Sequence, residues 1–440
     1  MTAQLELGVA QRPWLVTEAD LADGLPALPA ADETGRPVGG AFVLIRVFTE
    51  PVAGLWVAIP DGGLSPEELG RAAEAQAGQE LRARLTAAGW RGDRSALPLH
   101  GVAPASRHAW IRGRDLAETS QLALTAVLCT RDRPQEARQC LESLQEQSYP
   151  WLSVIVVENA PRDDQLRQFV ESGHFRVPVR YVAEPVPGLS HARNRALAEC
   201  QTELIAFLDD DEVACRYWAT ELVRGFIEDP AVDCVAGLIA PRELRTPAQQ
   251  LFERFGGHSK GRGFQPMTFD GRQMGKTSAL FPLPPFGTGA NMAFRLAAVR
   301  ELGGFDTALG AGAGTCGGED TDIFSALLLD GRRMAYRPSA LLWHCHRTTH
   351  AALRSQLYGY GVGLTAFYTA VVLRHPPHAF RLLALAPRAI GEVLGSGRIR
   401  AQTFGTSFPP DLLAANRRGM VRGPAAYWKA RRQQRRAAGR

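Results

Sequence analysis

The chain has 440 residues, 45% hydrophobic and 22% charged, with a formal net charge of +5 at pH 7. That length suggests two or three domains. The composition is that of a soluble globular protein with a sizeable core, which excludes a fibrous or wholly disordered chain. No run of about 18 apolar residues reads as a membrane span. Met1 to Arg12 lack the basic-then-apolar order of a signal peptide. The seven cysteines are scattered and form no C-x-x-C pair. This argues against a zinc site or a disulfide framework and fits a reducing cytoplasm. The positive charge is local: Arg417 to Arg440 hold nine Lys/Arg and no acid, and without them the formal charge is −4. A nucleic-acid-binding face is therefore not expected. In the basic tail, Tyr427 and Trp428 stand beside Lys429, Arg431 and Arg432. It reads either as a contact for an anionic lipid or RNA surface or as a disordered, solubilising end.

In chain order, residues 1–35 are rich in Ala, Pro, Asp and Glu with weak periodicity. Phe42–Phe48 and Leu55–Ile59 read as two strands. Ser65-Pro66-Glu67-Glu68 then opens a helix with a capping serine, a proline at the first helical position and a glutamate three residues after the cap. These make an α+β module over 1–115, and 91–120 reads as an irregular linker. From Leu122 strands and helices alternate. Strands are expected at Leu122–Leu128, Trp151–Val157, Val179–Val182, Glu203–Leu208 and Val232–Ile239. Helices are expected after Pro134, over Leu189–Cys200 and around Trp218, Leu222 and Phe226. That alternation implies a mainly parallel sheet with right-handed crossovers. Residues 242–286 read as a loop. Asn291–Leu302 and Thr321–Asp330 read as helical or mixed, and Tyr358–Leu373 and Ala379–Leu394 as apolar helices.

Chemistry gathers where these strands end. The apolar run Leu204–Leu208 finishes in Asp209-Asp210-Asp211-Glu212. Four adjacent carboxylates repel one another unless solvated or bound to a divalent cation, which takes oxygen ligands. In open α/β sheets ligands sit beyond the carboxyl ends of the strands. Thr130-Arg131-Asp132-Arg133-Pro134 follows the first strand of this half and opens a helix, whose free N–H groups and arginines suit an anion. Glu158-Asn159 follows the second strand; its carboxylate suits a base or ribose. Gly188-Leu189-Ser190-His191-Ala192-Arg193 opens another helix, with arginine suited to phosphate. Seven glycines between 303 and 318 precede Glu319-Asp320, a loop that can close over a substrate and an acid that can deprotonate a hydroxyl. His344 and His346 flank Cys345 after a strand-like run; on a strand, that spacing points them the same way. Each motif alone also fits a polar loop, a helix cap or a structural histidine.

In their order these motifs resemble the family-2 glycosyltransferases of GT-A fold. The resemblance covers about residues 122–350 and includes Gly289-Ala290-Asn291, Gly303-Gly304-Phe305-Asp306 and Trp343-His344-Cys345-His346-Arg347. It implies an α/β, Rossmann-like GT-A domain over 121–350, a helical extension over 351–416 and the basic tail 417–440. It also implies transfer of a sugar from a nucleoside-diphosphate sugar, most commonly UDP-linked, to an acceptor hydroxyl with inversion, aided by Mg²⁺ or Mn²⁺. By the same resemblance Asp320 is the catalytic base, Asp211 and His344 are metal ligands, and Thr130, Arg131, Glu158, Arg193 and Asp209 are nucleotide contacts. Asp210 is grouped with those contacts through the acidic run; Glu212 has no role. The family usually carries aspartate where Glu158 stands. The acceptor is open among lipid-linked, saccharide, peptide and metabolite hydroxyls, and the expected location is the cytoplasm or the inner face of the membrane. Two other readings remain: a metal-dependent phosphohydrolase or nucleotidyltransferase, and a non-catalytic sugar-nucleotide binder.

Overall fold

The computed structural model describes residues 12–92, 97–103, 108–275, 280, 286–384, 387 and 408–438. The first unit is a three-stranded sheet of β1 (Trp14–Asp20), β2 (Gly40–Val47) and β3 (Glu50–Ala58), with β1 parallel and β3 antiparallel to β2. Helix α1 (Pro66–Ala87) starts at the expected cap: Ser65 Oγ accepts from Glu68 N at 3.3 Å, and Glu68 returns a carboxylate to Ser65 N at 2.8 Å. Strand side chains alternate in direction, so β2 buries two faces. Val43 and Ile45 pack with Leu69, Leu81 and Leu85 of α1. Phe42 and Leu44 pack on Leu238, Tyr336 and Leu341 of the second sheet. The near-continuous apolar run at 42–47 records this double burial.

The expected irregular linker contains helix α2 (Ala109–Thr119). The larger unit then runs β4 (Leu124–Thr130), α3 (Pro134–Gln145), β5 (Leu152–Asn159), α4 (Gln165–Ser172), β6 (Val179–Glu184), α5 (Leu189–Glu199), β7 (Leu204–Asp209), β8 (Glu212–Ala214), α6 (Trp218–Glu228) and β9 (Val232–Pro241). After these come α7 (Pro247–Arg254), β10 (Met267–Asp270), β11 (Asn291–Arg295), α8 (Leu296–Glu301), α9 (Glu319–Leu329) and β12 (Arg333–His344). The sheet order is β10-β12-β9-β11-β7-β4-β5-β6, with β8 paired to the end of β12. Strands β6, β5, β4 and β7 are parallel; β11 lies antiparallel between β7 and β9. Helices α3, α4 and α6 cover one face and α5, α8 and α9 the other. Thr130 stands level with Glu158, and Cys129 with Asp209, so the three expected site segments end along one sheet edge.

The expected loop at 242–286 holds α7 and β10. Helix α7 has its own capping box, with Thr246 Oγ1 accepting from Gln249 N and Gln249 Oε1 accepting from Thr246 N. Residues 276–279 and 281–285 of that stretch lie outside the described residues, as do 388–394 of the expected helix at 379–394.

The boundary drawn between 416 and 417 falls inside a helix. After α10 (His350–Arg374), α11 (Pro410–Ala438) runs alongside it, so residues up to Ala438 are helical rather than a loose tail. The two backbones meet through glycines: a Cβ on Gly361 would lie 2.0 Å from Asn416 O, and one on Gly419 2.1 Å from Tyr358 O. Tyr427 is buried and donates to Asp306 Oδ2 at 2.8 Å. Charge composition conceals this helix because the apolar partner of its inner face is α10 rather than its own sequence.

A buried ion cluster joins the first unit to the second. Arg114 of α2 donates to Glu221 Oε1 of α6 at 2.5 Å and to Thr49 Oγ1 at 2.6 Å, and lies 3.7 Å from Glu50. Burial, then the neighbouring Glu221 charge, pushes the Glu50 carboxyl up. Removing one partner of such a cluster leaves a buried charge uncompensated and costs about 3–5 kcal/mol. We expect Arg114→Met to lower unfolding free energy in urea by that order, and adding Glu221→Gln to restore part of it. No recovery in the double variant would assign the loss to packing.

Candidate active site

The chain turns from β7 into β8 through the acidic run, whose acids meet partners from several elements. Glu212 is 1% exposed, and its Oε2 accepts from Asp209 N at 3.0 Å, clamping the turn from beneath. Asp210 is buried and accepts from Thr130 Oγ1 at 2.7 Å and from Arg133. Burial pushes its carboxyl up to about 7 against the opposing pull of Arg133. Asp211 lies 3.3 Å from His344 Nε2, 3.2 Å from Arg133 Nη1 and 3.7 Å from Arg347. Burial opposes its ionisation, but His344, Arg133 and Arg347 together hold it below the usual carboxylate range. The antiparallel pairing of β8 with β12, Glu212 opposite His344, sets this contact.

Arg193 of α5 is 1% exposed and spans the floor of the site. It donates to Glu319 Oε1 at 2.9 Å and Gly289 O at 2.9 Å and lies 3.5 Å from Asp209. The same Gly289 donates its N–H to Asp320 Oδ2 at 2.8 Å, while Asp320 Oδ1 accepts from Thr321 N at 2.6 Å. Gly289 thus ties Arg193 to Asp320, its carbonyl taking the one and its N–H the other. A Cβ on Gly289 would lie 2.8 Å from that of Asp320, so only glycine fits. Burial pushes Glu319 up to about 7, with Arg193 opposing.

The other expected residues separate into two groups. Glu158 is buried at the end of β5 and accepts from Tyr181 Oη at 2.8 Å; burial pushes its carboxyl up despite that bond. Arg131 is half-exposed beside Asp132 at 3.8 Å. Thr130 and Asp210 bond each other, and Arg193 is enclosed by protein acceptors. The polar ends of those three each have an interior partner. Asp209, Asp211, Asp320 and His344 are brought together as expected.

Apart from His346, which stands in the Trp343–Arg347 motif, several residues at the site carried no distinguishing signal. Arg133, rather than Arg131, reaches the acids. His346 donates or accepts at both nitrogens, with Nδ1 2.7 Å from His344 Nδ1 and Nε2 2.7 Å from Glu253 Oε1. His258 joins them, its ring centroid 4.3 Å from that of His344. Only the Thr246-Pro247-Ala248-Gln249 capping box of α7, which carries Glu253, was readable in advance. An open cleft of about 250 Å³ lies beside Asp211, with Arg133, Arg242 and Arg347 on its walls.

Asp211 and His344 fit a divalent cation. Glu253 ionised can only accept, so His346 Nε2 carries hydrogen; a neutral His346 then accepts at Nδ1 from His344 Nδ1–H. That leaves lone pairs on both His344 Nε2 and the Asp211 carboxylate, 3.3 Å apart. A proton or a cation must sit between them, and roughly 3 Å is the separation of two ligands that share one ion at about 2.1 Å each.

The mainly parallel α/β sheet thus gathers acids, arginine and histidine at its carboxyl edge. Residues 125–303 match the model described as glycosyl transferase family 2. It is 31% identical over 234 residues to a pre-mycofactocin glycosyltransferase of Mycobacterium tuberculosis, covering 51% of this chain and 43% of that protein. It is 30% identical over 223 residues to succinoglycan biosynthesis protein ExoM of Rhizobium meliloti, covering 48% and 63%. The chain thus spans less than two thirds of these relatives. Among solved structures, a mannosyltransferase of Pyrobaculum calidifontis in complex with GDP-Man and Mn²⁺ superposes with a TM-score of 0.45 at 19% identity, over 68% of this chain and 86% of that one. TarS of S. aureus in complex with UDP-GlcNAc gives 0.39 at 15%, over 71% and 92%.

The raised Glu319 carboxyl has a pH consequence. Between its ordinary value of 4.5 and its folded value of about 7 the native state holds a proton that the unfolded chain has lost, so stability from this group falls as pH rises through that window. We expect Glu319→Gln to gain on the order of 2 kcal/mol relative to the parent between pH 5 and pH 8. A stability difference between the two proteins that does not change with pH would refute the assignment.

Proposed function

We propose that this protein is an inverting glycosyltransferase acting on a nucleoside-diphosphate sugar, UDP-linked in the first instance, with Mg²⁺ or Mn²⁺. The observation that carries this reading is a carboxylate–imidazole pair, Asp211 and His344, beside a second carboxylate, Asp320, held on another element through Gly289 and Arg193. When bound, the cation would offset charge growing on the leaving diphosphate. The adjoining cleft carries Arg133, Arg242 and Arg347 alongside Glu136 and Glu243. Asp209 and Glu158 face the nucleoside. A carboxylate only accepts, so Glu158 favours a base with a ring N–H such as uracil, thymine or guanine. Asp320 takes the acceptor's proton as that oxygen bonds to the anomeric carbon. The bond to diphosphate breaks with its electron pair, through an oxocarbenium-like state.

A phosphohydrolase or nucleotidyltransferase would use the same acids but gives Asp320 no task. A non-catalytic binder would hold the donor without turnover. We expect Asp320→Asn to lower transfer 10²–10⁴-fold, the range for a lost general base, while UDP-sugar still binds with Mn²⁺. Loss of donor binding in that variant would assign Asp320 a structural role, and unchanged turnover would remove it as the base.

We further propose a peripheral membrane contact and a lipid-linked acceptor, at the inner face of the membrane. No helix among the described residues is long and apolar enough to cross a bilayer. Val421 is 84% and Trp428 47% exposed on the basic α11, and Phe380 is 78% exposed on the segment before it. Apolar tips among arginines suit an anionic lipid surface. The protein should sediment with vesicles containing phosphatidylserine and not with phosphatidylcholine alone, and Val421→Asp should weaken this. Absence of sedimentation with either would favour a saccharide, peptide or metabolite acceptor.

A further inference from the structure

Outside the acidic run, His258, His344 and His346 each offer a ring nitrogen, and these lie within 4.8 Å of one another. They come from distant parts of the chain. His344 ends β12, and His346 lies two residues on. His258 is brought back by a turn in which Gly256, Gly257, Gly261 and Gly263 all take positive φ. The cysteine pattern gave no sign of such a site.

The hydrogen bonds around the cluster have a particular form. Nδ1 of His344 and Nδ1 of His346 face each other at 2.7 Å. Their outer nitrogens each meet a carboxylate: His346 Nε2 at 2.7 Å from Glu253, and His344 Nε2 at 3.3 Å from Asp211. Histidines that ligate a metal typically give their other N–H to a carboxylate in this way. His258 Nε2 is buried and has no hydrogen-bond partner, although its ring packs against that of His344. Imidazole donors suit Zn²⁺, whereas the oxygen-rich donor site suits Mg²⁺ or Mn²⁺.

We propose that His258, His344 and His346 form a second metal site, for Zn²⁺ or a similar transition ion, distinct from the donor cation site but sharing His344. In the zinc state the inner nitrogens of His344 and His346 ligate the ion, with His258 as third ligand. The hydrogen on His344 then moves from Nδ1 to Nε2, where Asp211 accepts it. In the donor-cation state His344 offers Nε2 instead. The two states exclude each other, so zinc would displace the activating cation. The zinc site itself does not depend on the transfer reading, since it is measured without nucleotide.

The test uses the full chain, stripped of metal. Zn²⁺ titration by calorimetry should give one tight equivalent, and zinc-edge X-ray absorption a shell of three imidazole nitrogens at about 2.0–2.1 Å. His258→Gln and His346→Gln should each weaken binding at least tenfold, and Asp211→Asn should keep it. A shell of oxygens only, or binding lost in Asp211→Asn and unchanged in His258→Gln, would overturn the proposal. The X-ray measurement on the unmodified protein decides the matter even if a variant fails to fold.

Discussion

Four consecutive acids at the turn from β7 to β8 are the constraint around which this half of the molecule is arranged. Taking a carboxylate out of water costs several kcal/mol unless charge or hydrogen bonds replace the solvent. Asp210 and Glu212 are buried, and the Asp211 side chain is 8% exposed. Distant elements answer the run: Arg133 from the start of α3 meets Asp210 and Asp211, Arg193 from α5 meets Asp209, and His344 from the end of β12 meets Asp211. Glu212 turns inward to the backbone of Asp209. The order of strands is what makes this feasible, since β12 reaches the acids only because β8 pairs with its last residues.

That dependence also explains what the sequence made legible. The parallel strands from Leu122 onward, the helix starts at Ser65 and Pro134 and the acidic strand end are local signals, carried by apolar runs, caps and adjacent charges. The convergence of Asp209, Asp211, Asp320 and His344 became readable through the order of motifs. What local reading missed was contact between distant segments. Nothing near Arg133 marks it as the partner of Asp210 and Asp211. His258 and Glu253 lie in a stretch read as loop, yet they pack against residues about 90 positions later. Strand β1 sat in a segment of weak periodicity, because one face of the first sheet is completed by the second.

The two outlying parts are bound to the core by different physics. The first unit is joined through apolar packing of Trp14, Phe42 and Leu44 and through the buried Glu50–Arg114–Glu221 cluster. The second attachment, α10 with α11, relies on close backbone approach at glycines and on Tyr427 reaching Asp306 beside the glycine-rich loop. A Cβ on Gly318, at the start of α9, would meet Gly363 O at 2.6 Å. Helix α10 therefore presses directly on the turn that presents Glu319 and Asp320. The C-terminal helices thus form the back wall of the segment that holds the proposed base.

His344 is where these constraints meet. Its ring has two nitrogens and, when neutral, one hydrogen, so it can offer a lone pair to only one side at a time. On one side stand Asp211 and the mouth of the arginine-lined cleft; on the other stand His346 and, behind it, Glu253. Glu253 fixes the hydrogen on His346, and that choice passes through His346 to His344 without any movement of backbone. With nothing bound between the histidines, the chain from Glu253 turns the His344 lone pair toward Asp211, the orientation the proposed cation would need. The Glu253 carboxylate on α7, remote in sequence from every motif of the site, thereby sets the tautomer of His344.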